Sequence, residues 1–269
     1  MKRIAILTVL TLAATAAWAG DTKSEHLERA SKAAEVFKEM SNMPEKGIPQ
    51  SVLDGAQCVA VVPNMFKAGF IIGGRHGEGV ATCKLSETRW SAPAFFTVSG
   101  GSFGAQIGGQ STDLVLMIMN EEGMNQLLQG KFELGGNVSA AAGPVGRQAG
   151  ASAGWGAAIL TYSRAKGAFI GATFDGAVFN QDEDATEDVY GREVPAKDIL
   201  MGKVKFPAGA PQLRAFVNTV SLGKAKTEGD TDFEVTGNER DDKADLPASD
   251  RDPNEKKKDE KKPDYTKPE

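Results

Sequence analysis

Residues that carry most enzyme chemistry are scarce in this sequence. Its 269 residues include 2 cysteines and 2 histidines, and aromatic side chains make up 7%. Cys58 and Cys83 have only His26 and His76 as further soft ligands, with no zinc-finger spacing among the four, so no metal site is expected. Both histidines precede Ser152. The string Gly150-Ala151-Ser152-Ala153-Gly154 has the G-x-S-x-G form of a hydrolase elbow, but no later histidine can activate its hydroxyl. Gly100-Gly101-Ser102-Phe103-Gly104 and Gly108-Gly109 lack the Gly-Lys-Ser/Thr ending of a phosphate loop. The acids Asp182-Glu183-Asp184 and Glu187-Asp188 do not have EF-hand spacing and read as an acidic surface loop. Neither enzymatic activity nor a cofactor is expected.

Excess positive charge is also missing. The formal charge is −5, and loss of Lys2 and Arg3 takes it to −7. From Glu228 to Glu269 there are 15 acids and 9 bases, which leaves the body near −1. A nearly neutral body argues against nucleic acid as a partner, since that calls for a basic face.

Only one stretch is long, uncharged and apolar: Ile4 to Ala16, preceded by Lys2 and Arg3 and followed by Ala17-Trp18-Ala19. It is shorter than the roughly 20 residues of a membrane span. The small residues after it read as a peptidase site, so residues 1–19 are expected to be a signal peptide cleaved after Ala19. The protein is then expected in the periplasm or secreted, soluble or peripheral on a membrane. Residues 225–269 are dominated by Asp, Glu, Lys and Pro and are expected to form a disordered charged tail. One domain, 20–224, remains between them.

What is abundant is glycine, 31 residues, most of them between Gly69 and Gly176 and separated by apolar runs. That spacing suits closely packed strands, bulges and tight turns. Glu25 to Met40 reads as an amphipathic helix, with Leu27, Ala30, Ala34 and Phe37 at steps of three and four. From Val52 short strands are expected at Cys58–Val62, Ala68–Ile72, Gly79–Cys83, Phe95–Val98 and Leu114–Met119. Asn120 opens a short helix that Gly130 closes. Ala168 to Phe179 alternates as a strand pair does, and Leu213, Phe216, Val217 and Val220 are spaced for a closing helix. The fold class is thus α+β: a mostly antiparallel, glycine-rich sheet, barrel- or sandwich-like, between an N-terminal and a C-terminal helix. Cys58 and Cys83 lie in two of the β-like runs. In an exported chain an even count suggests a disulfide, stabilising by about 3–4 kcal/mol; two buried free thiols are the alternative.

Several strings together resemble the SYLF domain family. They are Trp90-Ser91-Ala92-Pro93, Gly101 to Gly108, Asp113 before an apolar strand, and Leu134-Gly135-Gly136-Asn137 running on to Gly146-Arg147. Tyr162 to Gly167, Tyr190-Gly191 and Asp198-Ile199-Leu200 follow in order. The resemblance spans about Ala30 to Val220. It implies a non-enzymatic phospholipid-binding module, with phosphoinositide binding in eukaryotic relatives and actin binding in fungal ones. It implies lipid contacts through an amphipathic N-terminal segment and basic residues. Here that segment is Leu27 to Met40, with Arg29, Lys32, Phe37 and Lys38. Lys67, Arg75, Arg147, Arg164 and Lys166 are further candidates, each beside glycine or small residues where backbone can approach a head group. The expected partner is an anionic phospholipid or membrane surface. An envelope protein bound by a structural adaptor is the alternative.

Overall fold

The computed structural model describes residues 21–43, 47–145, 156–165, 168–169 and 174–224, all within the unit Met1–Thr231. The expected signal segment and tail, Arg147, Ser152 and Lys166 lie outside the described residues. Helix α1 (Asp21–Asn42) extends past both ends of the expected helix. Leu27, Ala30, Ala33, Val36, Phe37 and Met40 form its buried stripe. A short helix, α2 (Gln50–Gly55), follows where the first strand signals were expected, because Val52 and Leu53 are the buried side of a helical turn.

The five short strands expected next are two long ones, β1 (Cys58–Ser86) and β3 (Ala94–Ile118), joined through the two-residue β2 (Arg89–Trp90). They pair antiparallel from Cys58↔Ile118 to Ala81↔Ala94, with register shifts between Val62 and Met65 and between Gly69 and Ile71. Glycines expected to break strands lie inside them, because this ribbon doubles back on itself. The Lys84 N–H donates to the Gln57 carbonyl at 2.8 Å, and Cys58 is disulfide-bonded to Cys83 with Cα atoms 4.0 Å apart. A Cβ at Gly79 would collide with the Val61 carbonyl, so the ribbon can cross itself closely only without one.

The rest of the chain completes a strongly curled half-barrel. Helix α3 (Glu121–Leu128) is capped as expected: the Asn120 side chain accepts the Gly123 N–H at 3.0 Å, and Gly130 turns the chain at φ 74°. Strands β4 (Lys131–Glu133), β5 (Ala140–Ala142), β6 (Ile159–Ala165), β7 (Ala168–Phe169) and β8 (Val178–Gln181) follow. The main order is β2-β1-β3-β6-β5, with β8 pairing β3 and β4, and β7 pairing β6. Only the β5–β6 pair is parallel among these strands. Helices α4 (Glu183–Tyr190), α5 (Ala196–Leu200) and α6 (Pro211–Lys224) end the described chain.

The acidic segment expected as a loop is therefore a helix. The Asp182 carboxylate accepts the Ala185 N–H at 3.1 Å, and Glu183 and Asp184 occupy the first turn, where the helix dipole favours negative charge. The expected closing helix is present, with Leu213, Phe216 and Val220 fully buried.

Alternate side chains of β1 and β3 enter two cores. Val59, Val61, Val115 and Met117 pack under α1 and α6, while Cys58, Ala60, Leu114, Leu116 and Ile118 face the inside of the curl. Phe132 and Phe179 stack there with ring centroids 4.8 Å apart. Both faces are covered, which explains apolar runs without polar alternation. Among the described residues no helix is long and apolar enough to cross a membrane.

Candidate functional site

The sequence candidates on α1 separate into two kinds. Arg29 is only 7% exposed. Its guanidinium donates to Asp182 Oδ2 at 2.7 Å and to Glu78 Oε2 at 2.6 Å, lies 3.0 Å from His26 Nδ1, and stacks 5.6 Å above the Phe95 ring. It ties α1 to β1 and to the start of α4. Phe37 is 1% exposed and packs against Gly223 of α6. In this conformation both side chains are buried, Arg29 in ion pairs and Phe37 in the stripe that packs on the core. Lys32 and Lys38 are exposed. Lys32 pairs with Glu28 one turn back at 2.8 Å. Six residues set these lysines about 120° apart around the helix, so they do not form one stripe. Lys38 borders a cleft of about 280 Å³ between the ends of α1 and α6, with Phe37, Ser41, Thr219 and the 66% exposed Leu222.

The other described candidates are spread over the sheet. Lys67 is half-buried on β1, opposite Gln110. Arg75 donates to the Gly101 carbonyl from Nε at 3.1 Å and from Nη2 at 2.7 Å, and to the Asp175 carbonyl at 3.3 Å, with Phe174 under its plane at 5.8 Å. Partial burial lowers its pKa, and the Asp175 carboxylate opposes that shift. Arg164 donates to Asp113 Oδ2 at 2.8 Å and to Glu39, which fastens β6 and β3 to α1. Arg75 and Arg164 are thus each held by acceptors of the fold itself. Among the described residues no cluster of His, Cys, Asp and Glu is arranged to hold a metal.

The residues that mark the sequence most distinctively are bonded to one another inside the fold. Asp113 takes both Arg164 and the Asn64 N–H, the latter at 3.0 Å. The Ser91 hydroxyl accepts the Cys83 N–H at 3.1 Å, and the Tyr190 hydroxyl donates to the Pro93 carbonyl at 2.6 Å. Gly143 lies flat against the Tyr162 ring, where a Cβ would collide. Burial raises the pKa of Tyr162 and of Tyr190, so both stay neutral phenols. The acidic acceptors Glu78, Asp113 and Asp182 escaped the sequence reading as partners. Asp113, placed just before an apolar strand, and Asp182, an N-cap residue, had local signals, and Glu78 had none.

Residues 99–220 match the family model described as Ysc84, Las17-binding protein actin regulator. The chain belongs to the SYLF domain family. An SH3 domain-containing protein of Schizosaccharomyces pombe is 38% identical over 64% of this chain and 41% of its own length. Protein YSC84 of Saccharomyces cerevisiae is 37% identical over 62% of this chain and 36% of its length. SH3 domain-containing YSC84-like protein 1 of Mus musculus is 33% identical over 74% and 61%. This SYLF chain thus covers well under half of the two fungal relatives. SYLF domains form a binding and adaptor family, and the internal bonds of Asp113, Ser91 and Tyr190 show how this member holds its shape.

Proposed function

We propose that the protein is a non-enzymatic phospholipid-binding module of the cell envelope or secreted space, acting at a membrane surface or carrying lipid. Membership of the SYLF family is the observation that carries this reading. The cleft between α1 and α6 supports it, because Lys38 stands beside the exposed Leu222 there. A cation next to an apolar edge is the pairing a lipid interface uses. Export rests on the N-terminal signature at residues 1–19, and it predicts a mature chain beginning at Gly20. N-terminal sequencing of the exported fraction tests that, and a retained Met1 overturns it.

The functional test is flotation of the full chain with vesicles. Binding is expected to equimolar phosphatidylcholine and phosphatidylglycerol, weakening as salt rises, and not to phosphatidylcholine alone. The absence of flotation at low salt overturns the lipid reading. A second reading, an adaptor for another envelope protein, is favoured by one relative, LAS seventeen-binding protein 3 of Saccharomyces cerevisiae, which is named for a protein partner. Cross-linking to an envelope protein without vesicle binding is its expected result.

A further inference from the structure

The SYLF body is close to neutral, yet its charge is unevenly distributed. Asp182 to Tyr190 holds five acids and no base. The turn after α5 reverses that balance. The β1–β2 hairpin and the segment from α5 into α6 (residues 84–89 and 196–214) hold six bases against two acids. The fold joins them: Gly202, at φ 74°, lies so close to Leu85 of the hairpin that a Cβ would collide with that side chain. Both acids are already paired, Glu87 with Lys84 at 2.7 Å and Asp198 with Lys203 at 2.9 Å. Arg89, Lys197 and Lys205 are exposed and, among the described residues, in no ion pair. Arg214 is exposed as well, stacked 4.8 Å above Phe206. Between Lys197 and Lys203 in the chain, directly after α5, stands Met201, 47% exposed, one of four large apolar side chains so exposed among the described residues.

We propose that this end of the molecule is its docking surface for an anionic phospholipid bilayer, with Met201 entering the head-group layer and Arg89, Lys197, Lys203 and Lys205 resting on phosphates. The proposal rests on the phospholipid-binding reading and says which face carries it. Charge complementarity selects the occupant: exposed cations in excess over acids, three of them outside any ion pair among the described residues, beside an exposed apolar side chain match a negatively charged surface with an apolar interior. A flexible, unbranched methionine suits a disordered lipid phase. None of these residues supports the core, so the surface is available without any rearrangement.

Sedimentation of the full chain with equimolar phosphatidylcholine–phosphatidylglycerol vesicles tests it, comparing the parent with Lys197→Gln/Lys203→Gln/Lys205→Gln. Each charge lost near an anionic surface is expected to weaken binding by about a factor of five, so the triple variant binds on the order of a hundredfold more weakly. Met201→Trp is expected to bind at least as tightly as the parent. Its emission is expected to shift to the blue on adding anionic vesicles, beyond any shift of the parent, and not with phosphatidylcholine alone. If the parent binds but the triple variant binds equally and the emission of the Met201→Trp variant does not move, this surface is wrong and the lipid reading stands. If the parent binds no vesicle, the lipid reading and this proposal both fail, and the basic end is left for an acidic protein.

Discussion

Helix α1 and the turn that follows α5 both carry several cations, and the protein uses them in opposite ways. On α1 the bases alternate with acids, and Arg29 is buried in a three-way contact with Asp182, Glu78 and His26. In α5 and on the turn after it, Lys197, Lys203 and Lys205 stay at the surface, as does Met201. The difference lies in what each segment packs against. Helix α1 lies between α6 and the sheet, so its apolar stripe and the cation bordering that stripe are enclosed. The turn touches the β1–β2 hairpin through Gly202 and Leu85, and its charged side chains stay exposed. Basic residues on an amphipathic helix thus do not by themselves mark a membrane contact; the same pattern describes a helix clamped to its own domain.

Substitutions on the two segments can break that contrast. Phe37→Ala is expected to cost about 3–5 kcal/mol in urea unfolding, because it opens a cavity between α1 and α6. The matching change Met201→Ala is expected to cost less than about 0.5 kcal/mol, as at other exposed sites. Equal losses would mean that α1 is not the core helix described. Cys58→Ser, or reduction of the parent, is expected to lower stability by about 3 kcal/mol, since the bond closes a separation of 25 residues in β1. An unchanged urea midpoint under reductant would show that the doubled ribbon holds itself without the bond.

Arg29→Met is next, at about 2 kcal/mol. It leaves the Asp182 carboxylate, 12% exposed, without its cation, while Glu78 at 50% exposed is partly compensated by water. Lys205→Met, its counterpart on the turn, is expected to leave the urea midpoint in place. A neutral Arg29→Met would show that the buried pair only balances its desolvation. The smallest effect is expected for Lys32→Gln/Lys38→Gln, within about 0.5 kcal/mol by the same measurement, because both side chains are exposed and Lys32 has only a surface pair.

Family and fold class were readable because they depend on local patterns. The strings around Ser91, Asp113, Gly143 and Tyr190 are distinctive, and the structure shows why they recur together: each belongs to a hydrogen bond, an ion pair or a close contact inside the fold. The contact surface was less readable for the same reason, since a residue that marks the family need not face a partner. The expected strands ended at glycines, where the structure instead runs two continuous strands, because a glycine that ends a strand and one that lets a strand cross its own backbone look alike in one dimension. The acids at 182–188 were expected as a loop, although Asp182 carries the N-cap signal of the helix that is there.

Composition and periodicity alone determined the near-neutral body, the apolar stripe of α1, the cap at Asn120 and the closing helix at Leu213 to Val220. These follow from which side chains repel water and at what spacing they recur. Tertiary structure decided that Cys58 meets Cys83, that Arg29 and Arg164 are clamps, and that the hairpin at 84–89 joins the turn at 196–205. Each of those depends on a chain reversal that brings distant residues within a few ångströms, a distance that sequence separation does not encode.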